Sequence, residues 1–328
     1  MIARVRTALS LVVTAVLLVL VLRKVGVAEL AAALRGADVG FIVLAFIVGH
    51  VTFLPKVLNW QQLLRAQGHE LGFLSLFRLY LVGVFFNNML PTNVGGDVVR
   101  SYEVGKRISD PATGLATVFV ERLTGLVVLV ALAVIAVLAN LDRIDNSVLT
   151  LAVAAACVGL VIITWVAFDP TMLELVIRWS PEAVARQLAR LRKFQVALHR
   201  YRGQRRLFVN SFILSLVFNA GAILYMYVAV SAFHESVSLR GVLFVVPISM
   251  VVGMAPFAFN GVGLQEWACV LLFPRVGVSA SGALSAMLLV RAITLITAAI
   301  GGLLYLQLKS RPPRGGIVGV EPSSVRPS

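Results

Sequence analysis

Apolar residues gather in this chain into runs of about twenty, the length a helix needs to cross ~30 Å of hydrocarbon. Such runs occupy 39–60, 112–139, 147–168, 207–232 and 276–308, with a shorter one at 7–22. The short run has Arg4 and Arg6 ahead of it. Arg23-Lys24 follow it directly, where a leader would carry a small-residue cleavage site, so it reads as a retained first helix. Two more runs are interrupted: 73–90 ends in Pro91 and the pair Gly95-Gly96, and 241–259 carries Pro247 and Pro256 ahead of Gly261 and Gly263. Interrupted helices persist at membrane depth only when packed in protein or lining a wet cavity. The pattern predicts an all-α polytopic integral membrane protein of seven or eight membrane segments, two of them broken or re-entrant.

One substantial polar stretch, 169–206, separates the runs. Asp169-Pro170 and Ser180-Pro181 each place a capping side chain before a proline, so helices start at both. In the second, Val184, Leu188, Leu191, Leu198 and Tyr201 recur on one side, with Arg186, Arg190, Lys193 and Arg200 opposite. With nine Arg and Lys against three acids, this is either a basic amphipathic helix on anionic inner-leaflet head groups or an ordinary positive-inside loop. Both readings make it cytoplasmic. The stretch 100–107 and the C-terminal tail then fall on the same side, and 140–146, with Asp142, Arg143 and Asp145, faces outward. The expected organisation is a single transmembrane domain over 1–308 in the cytoplasmic (inner) membrane, and a disordered cytoplasmic tail over 309–328.

Composition agrees. Of 328 residues 59% are apolar and 13% charged, against roughly 45–50% and ~25% in a soluble chain, and mean hydropathy is +0.93. The net charge of +14 belongs to cytoplasmic loops and requires no nucleic-acid partner. Cys157 and Cys269 lie inside apolar runs, and the four histidines are scattered, so neither a disulfide framework nor a metal site is expected. There is no phosphate-binding G-x-x-x-x-G-K-[ST] loop, no catalytic H-E-x-x-H or G-x-S-x-G, and no sign of a cofactor.

Several charges stand where a membrane penalises them. Counted from Leu115, Glu121 and Arg122 lie about 10 Å into the apolar run by the helical rise. Each unpaired charge at mid-bilayer costs at least ~2.5–3.5 kcal/mol. Lys56, Arg78 and Arg291 are similarly placed, and Asp97, Glu103 and Glu266 supply the acids. Such residues belong to pathways and gates, or to internal ion pairs that lock a bundle. At least one of Glu121 and Arg122 is expected to pair with Arg100 or Asp97.

The most informative string is FNNMLPTNVGGDVVRSYEVGK, 86–106. Asn87, Asn88, Thr92 and Asn93 bring hydrogen-bonding groups into an apolar neighbourhood, Pro91 breaks the helix, and Gly95-Gly96 free the backbone. Asp97 is placed to cap a new helix, with Arg100 one turn on as its partner. APFAFNGVGLQEWACVLLF, 255–273, has the same grammar: Pro256, Asn260-Gly261 and Gly263 lead into Gln265-Glu266 and a helix too short to span. Paired interruptions in the two halves point to a transporter's midplane site built from inverted repeats, with chance similarity the alternative.

LPTNVGGDVVRSY and ERLTGL resemble the paired signatures of the flippase-like membrane domain of lysylphosphatidylglycerol synthetases. That family has stand-alone members, some tied to polyprenyl-glycan or hopanoid pathways. The resemblance runs from about residue 5 to 308. It places Asn88, Pro91, Gly95, Gly96, Asp97 and Arg100 in the first signature, Glu121, Arg122 and Gly125 in the second, and Trp60 at an aromatic position after the second span. The third signature is usually Pro-Gly-Gly-x-Gly-x-Arg-Glu. Gly261, Gly263 and Glu266 match it, while Phe259, Asn260 and Gln265 depart, the last removing an arginine. No transferase domain follows in these 328 residues, so the resemblance implies lipid translocation or handling rather than aminoacyl transfer.

Three functions compete. The first is a flippase-like transporter of a phospholipid or polyprenyl lipid, without catalytic residues. The second is a membrane enzyme acting on lipid head groups, with Asp97 and Glu266 as acid and base. The third is an accessory partner of an enzyme of lipid or glycan biosynthesis.

Overall fold

The computed structural model describes residues 35–90, 94–140, 147–168, 178, 192–201, 203–254 and 263–310. The expectations for the 7–22 helix, for Pro91, Thr92, Asn93, Pro256, Asn260 and Gly261, for 141–146, for most of 169–191 and for the tail lie outside these residues. Every regular element among the described residues is helical. In chain order they are α1 (Val39–Val51), α2 (Phe53–Arg65), α3 (Phe73–Met89), α4 (Gly95–Arg107), α5 (Pro111–Leu138), α6 (Ser147–Phe168), α7 (Arg205–Ser231), α8 (Leu239–Gly253), α9 (Leu264–Leu272) and α10 (Ala280–Ser310). A 3₁₀ turn, Phe273–Val276, extends α9, and residues 192–199 are also helical.

Among the described residues, four stretches are long and apolar enough to cross a membrane: Val39–Arg65, which joins α1 to α2, Pro111–Leu138, Arg205–Ser231 and Ala280–Leu308. The apolar helices of α3, α6 and α8 are shorter. The protein is a multi-pass membrane protein. Its boundaries follow local chemistry. Asp110 caps α5, accepting from Ala112 and Thr113 N–H at 3.1 Å each, with Pro111 at the first helical position. The last run starts at 280 instead of 276 because Gly277 turns left-handed at φ +88. Pro247 does not break its segment, contrary to the sequence reading: α8 runs through it unbroken from Leu239 to Gly253. Packed neighbours let membrane helices accommodate such a proline.

Contacts between chain ends fix the direction of each element. Arg107 Nη1 at the end of α4 donates to Ser75 Oγ at the start of α3 (2.7 Å), so α3 and α4 form a hairpin with both ends at one end of the bundle. That end is basic. Tyr201 of the 192–201 segment donates to the Leu63 carbonyl near the end of α2 (3.0 Å), and Ala197, Leu198 and Tyr201 pack on Leu63, Ala116 and Val120. The apolar side of this segment therefore rests on α2 and α5 rather than on lipid at these positions, while Lys193 and Arg200 stay exposed. At the opposite end, Asp38 N–H bonds the Ala232 carbonyl after α7 (2.8 Å). Ser279, just before α10, bonds the Glu235 carboxylate through its N–H (3.0 Å) and its hydroxyl. The start of α8 also meets the 3₁₀ turn there, with Gly241 against Val276. Thus α8 and α9 form a second hairpin, entering from the far end.

The chain therefore repeats itself upside down. A spanning stretch (α1–α2), a hairpin (α3/α4) and a spanning helix (α5) are followed, after α6 and the 192–199 segment, by the same series as α7, α8/α9 and α10. One constant shift along the chain carries Gly95 to Leu264, Arg107 to Val276 and Pro111 to Ala280, the boundaries of the matching elements. The units interlock: α3 packs on α10, where Gly301 lies against the Leu81 carbonyl, and α8 packs on α5.

Candidate functional site

Between two apolar clusters, one around Leu76, Leu79 and Val104 and the other around Val245, Ile248 and Leu272, lies a belt of buried polar side chains. Its centre is the tip of the first hairpin. Gly96 is pressed so closely on Gly83 that any Cβ there would fall within the Gly83 carbonyl, and Gly96 N–H donates to Asn87 Oδ1 across the hairpin (2.7 Å). This contact lets the chain reverse and starts α4 at depth. The expected capping by Asp97 does not occur. Val94 is the N-cap residue, and Asp97, in the first turn, turns its carboxylate to arginines, which offer stronger charge-assisted bonds than a backbone N–H.

Five charges form one alternating line. Lys56 Nζ pairs with Glu121 Oε1 at 2.7 Å, and Glu121 Oε2 with Arg100 Nη2 at 2.5 Å. Arg100 Nε reaches Asp97 Oδ1 at 2.9 Å, and Asp97 Oδ2 meets Arg122 Nε at 2.8 Å. Arg122 Nη2 adds a second bond to Asp97 at 3.0 Å. The pairing expected for Glu121 and Arg122 is thus present in both combinations. The inner members are sealed: Glu121 is 0% and Arg100 1% exposed. Arg100 lies between the rings of Trp60 and Tyr80, 5.0 Å from each centroid, and Trp60 Nε1 is fixed by Thr117 Oγ1 at 3.2 Å. Gly125 leaves room for Lys56, since a Cβ there would stand 2.7 Å from Nζ.

Three cations against two carboxylates leave the line one positive charge in excess. Both terminal cations open onto a cavity of about 580 Å³, and the Arg122 side chain is 45% exposed. The other polar walls are Tyr80, Asn87, Asp97, Asn219 and Gln265. Apolar residues make up most of the remainder: Phe119, Leu126, Leu129, Phe218 and Met250, with Val94, Val98, Leu115, Ile163 and Met254 exposed at the surface. Both hairpin tips meet this space, the first through Asn87 and Asp97, the second through Gly253, Met254 and Gln265. A volume of this size holds a polar head group, with apolar surface at the rim.

The second hairpin holds a separate pair. Gly263 adopts φ +86, a conformation that favours glycine, and its N–H donates to Glu266 Oε2 at 2.7 Å. Glu266 Oε1 pairs with Arg291 Nε of α10 at 2.8 Å. The shift that aligns the helices carries Asp97 to Glu266 and Arg122 to Arg291, and each carboxylate precedes its arginine by 25 residues.

Of the residues singled out in the sequence, Asp97, Arg100, Glu121 and Arg122 come together, with Gly95 and Gly96 buried behind them. Asn88 does not line the cavity; its Nδ2 donates to the Val84 carbonyl one turn back. Gly263 and Glu266 belong to the second pair, and Pro91 and Gly261 lie outside the described residues. Sequence reasoning marked Lys56 and Arg291 as misplaced charges without assigning partners, and it passed over Tyr80 and Asn219. The shared 25-residue spacing was the signal that could have joined Glu266 to Arg291.

Residues 7–302 match the family described as the lysylphosphatidylglycerol synthase TM region. A UPF0104 membrane protein of Methanothermobacter thermautotrophicus is 26% identical over 310 residues, covering 88% of this chain and 90% of the relative. A UPF0104 membrane protein of Pyrococcus horikoshii is 23% identical over 326 residues, covering 91% of this chain and 96% of the relative.

Proposed function

The chain belongs to the family of the lysylphosphatidylglycerol synthase TM region, and on that premise we propose that it is a lipid translocase acting on an amphiphile with an anionic head group. The observation that carries this reading is the line of charges with one excess cation, ending at Lys56 and Arg122 on a cavity with mainly apolar walls. An anionic head group gains nothing from hydrocarbon. It gains charge-assisted bonds at Arg122 and Lys56, with Asn87, Asn219 and Gln265 as neutral donors. The exposed rim of Val98, Leu115, Ile163 and Met254 leaves the chains of the lipid in the membrane while the head group occupies the cavity. The two hairpins act as re-entrant segments from opposite faces of the cytoplasmic membrane, with the basic end inside. Phospholipids and polyprenyl lipids share the required chemistry. Asp97 and Glu266 serve as anchors for arginines rather than as acid and base, which disfavours a head-group enzyme.

Translocation is tested in vesicles containing fluorescently labelled phosphatidylglycerol, by dithionite quenching of the outer leaflet. Protein-containing vesicles are expected to lose nearly all the signal, with the lipid unchanged by mass spectrometry. Arg100→Ala and Asp97→Asn should fall to the protein-free level. Transport at the wild-type rate in both variants removes the site, and a new lipid product replaces translocation with chemistry.

A further inference from the structure

The two units agree in backbone but not in packing. In the first unit the groove beside the Asp97–Arg122 pair is open, and Val98, Leu115 and Phe119 line the cavity. The same shift along the chain carries these three to Trp267, Leu284 and Leu288. They close on one another, with Val270 and Ala280 completing the cluster, and Leu284 is 1% exposed. Next to this apolar plug, on the same two helices α9 and α10, lies the Glu266–Arg291 pair. Glu266 is 1% exposed and the Arg291 side chain 22%, and Arg291 Nη2 is a buried donor with no hydrogen-bond partner among the described residues. A buried guanidinium N–H without an acceptor costs on the order of 1–3 kcal/mol. An arriving anion supplies an acceptor for it.

We infer that the Glu266–Arg291 pair is a second anion-binding station, narrowed in this structure by the Trp267–Leu284–Leu288 plug and opened when the first station closes. The inference rests on the translocation reading and adds to it where the head group goes next. The first station opens between α4, α5 and α6, with Leu115 and Ile163 toward the basic end of the bundle. The second unit is inverted, so opening its counterpart groove exposes Arg291 toward the far end. Exchange of the open and closed packings between two inverted units gives alternating access without a separate gate. The stations differ in charge. The first carries one excess cation, while the Glu266–Arg291 pair is balanced by its own carboxylate. An anion is therefore held more tightly at the first station and released more readily from the second.

The test uses the full chain in vesicles with labelled phosphatidylglycerol and compares Arg122→Gln with Arg291→Gln. Both are expected to lose at least tenfold in rate while remaining monodisperse in detergent. Arg291→Gln at the wild-type rate beside an inactive Arg122→Gln overturns the second station and leaves the translocation reading intact. Both variants at the wild-type rate remove that reading as well. Loss in Arg291→Gln alone overturns the equivalence of the two stations. A second measurement decides the matter should Arg291→Gln fail to fold. Trp267→Cys and Leu288→Cys are combined in a Cys157→Ala, Cys269→Ala background that retains the wild-type rate, then joined by a short reducible cross-linker. Linked protein should stop transporting and recover on reduction. Full transport by the linked protein shows that the plug never opens and overturns the inference.

Discussion

Replacing Glu121 by glutamine is the most discriminating perturbation of the charge line. Glu121 divides its two oxygens between Lys56 and Arg100, both nearly sealed from solvent, so the amide leaves two buried cations without their shared anion. The excess on the line rises from one positive charge to two. Breaking a buried pair by removing one partner costs about 3–5 kcal/mol. At roughly 2–4 °C per kcal/mol in larger domains, this lowers the melting temperature by on the order of 6–20 °C. The loss arises from stranded charge rather than lost volume, so Lys56→Met in the Glu121→Gln background should recover part of it. The thermal midpoint of detergent-purified protein, read for wild type, both single variants and the double, gives the coupling directly. We expect the double variant to exceed the additive expectation by at least ~1.5 kcal/mol, as contacting charges do. Additive losses, or a shift below about 2 °C for Glu121→Gln alone, would refute the shared anion as the centre of the line.

Other expectations follow from neighbouring features. Gly96→Ala should prevent the first hairpin from closing, because its Cβ would enter the Gly83 carbonyl; the readout is loss of monodisperse protein on gel filtration, and wild-type behaviour contradicts the close approach. At the start of α5, burial pushes the Asp110 carboxyl up, but hydrogen bonds from Thr113 and Ala112 and the nearby Arg200 charge hold it below its ordinary value. Its contribution is therefore present above the unfolded carboxylate range near pH 4 and lost as pH falls through the lower folded value. Asp110→Ala should cost about 1 kcal/mol at neutral pH and flatten the melting temperature between pH 5 and 3. For orientation, single cysteines at Lys193 and Ser236 in a background without native cysteines should differ in intact cells. An impermeant thiol reagent should label position 236 and spare 193, and the reverse pattern inverts the membrane topology.

The spans were legible because hydrocarbon thickness sets run length: α6 falls on 147–168 as read, and α5 and α7 begin within a few residues of their runs. The hairpins were legible as interruptions, since Pro91 and Gly95-Gly96 stand out in an apolar string. What the string does not carry is which charges meet. Lys56 and Glu121 are far apart in sequence, and only the packing of α2 on α5, with Gly125 vacating the space for Nζ, joins them. Asn87 and Asn88 are adjacent and chemically equal. Helical phase alone gives the first to the Gly96 N–H and turns the second to its own helix. Asp97 read as a cap because local rules favour one at that place, and a long-range pairing overrode them.

The interlocking of the two units has a consequence for how the protein is made. Helix α3 emerges from the ribosome well before α10, yet the glycines that admit its backbone, Gly301 and Gly302, lie near the end of α10. Until α10 enters the bilayer, the Leu81 carbonyl and Phe85 face lipid or a helper protein instead of their final neighbour. Insertion of the early segments therefore cannot amount to completed assembly. The nascent chain must be kept from degradation until α10 has been made, and docking of α10, rather than insertion of any earlier helix, is the step at which the fold is sealed.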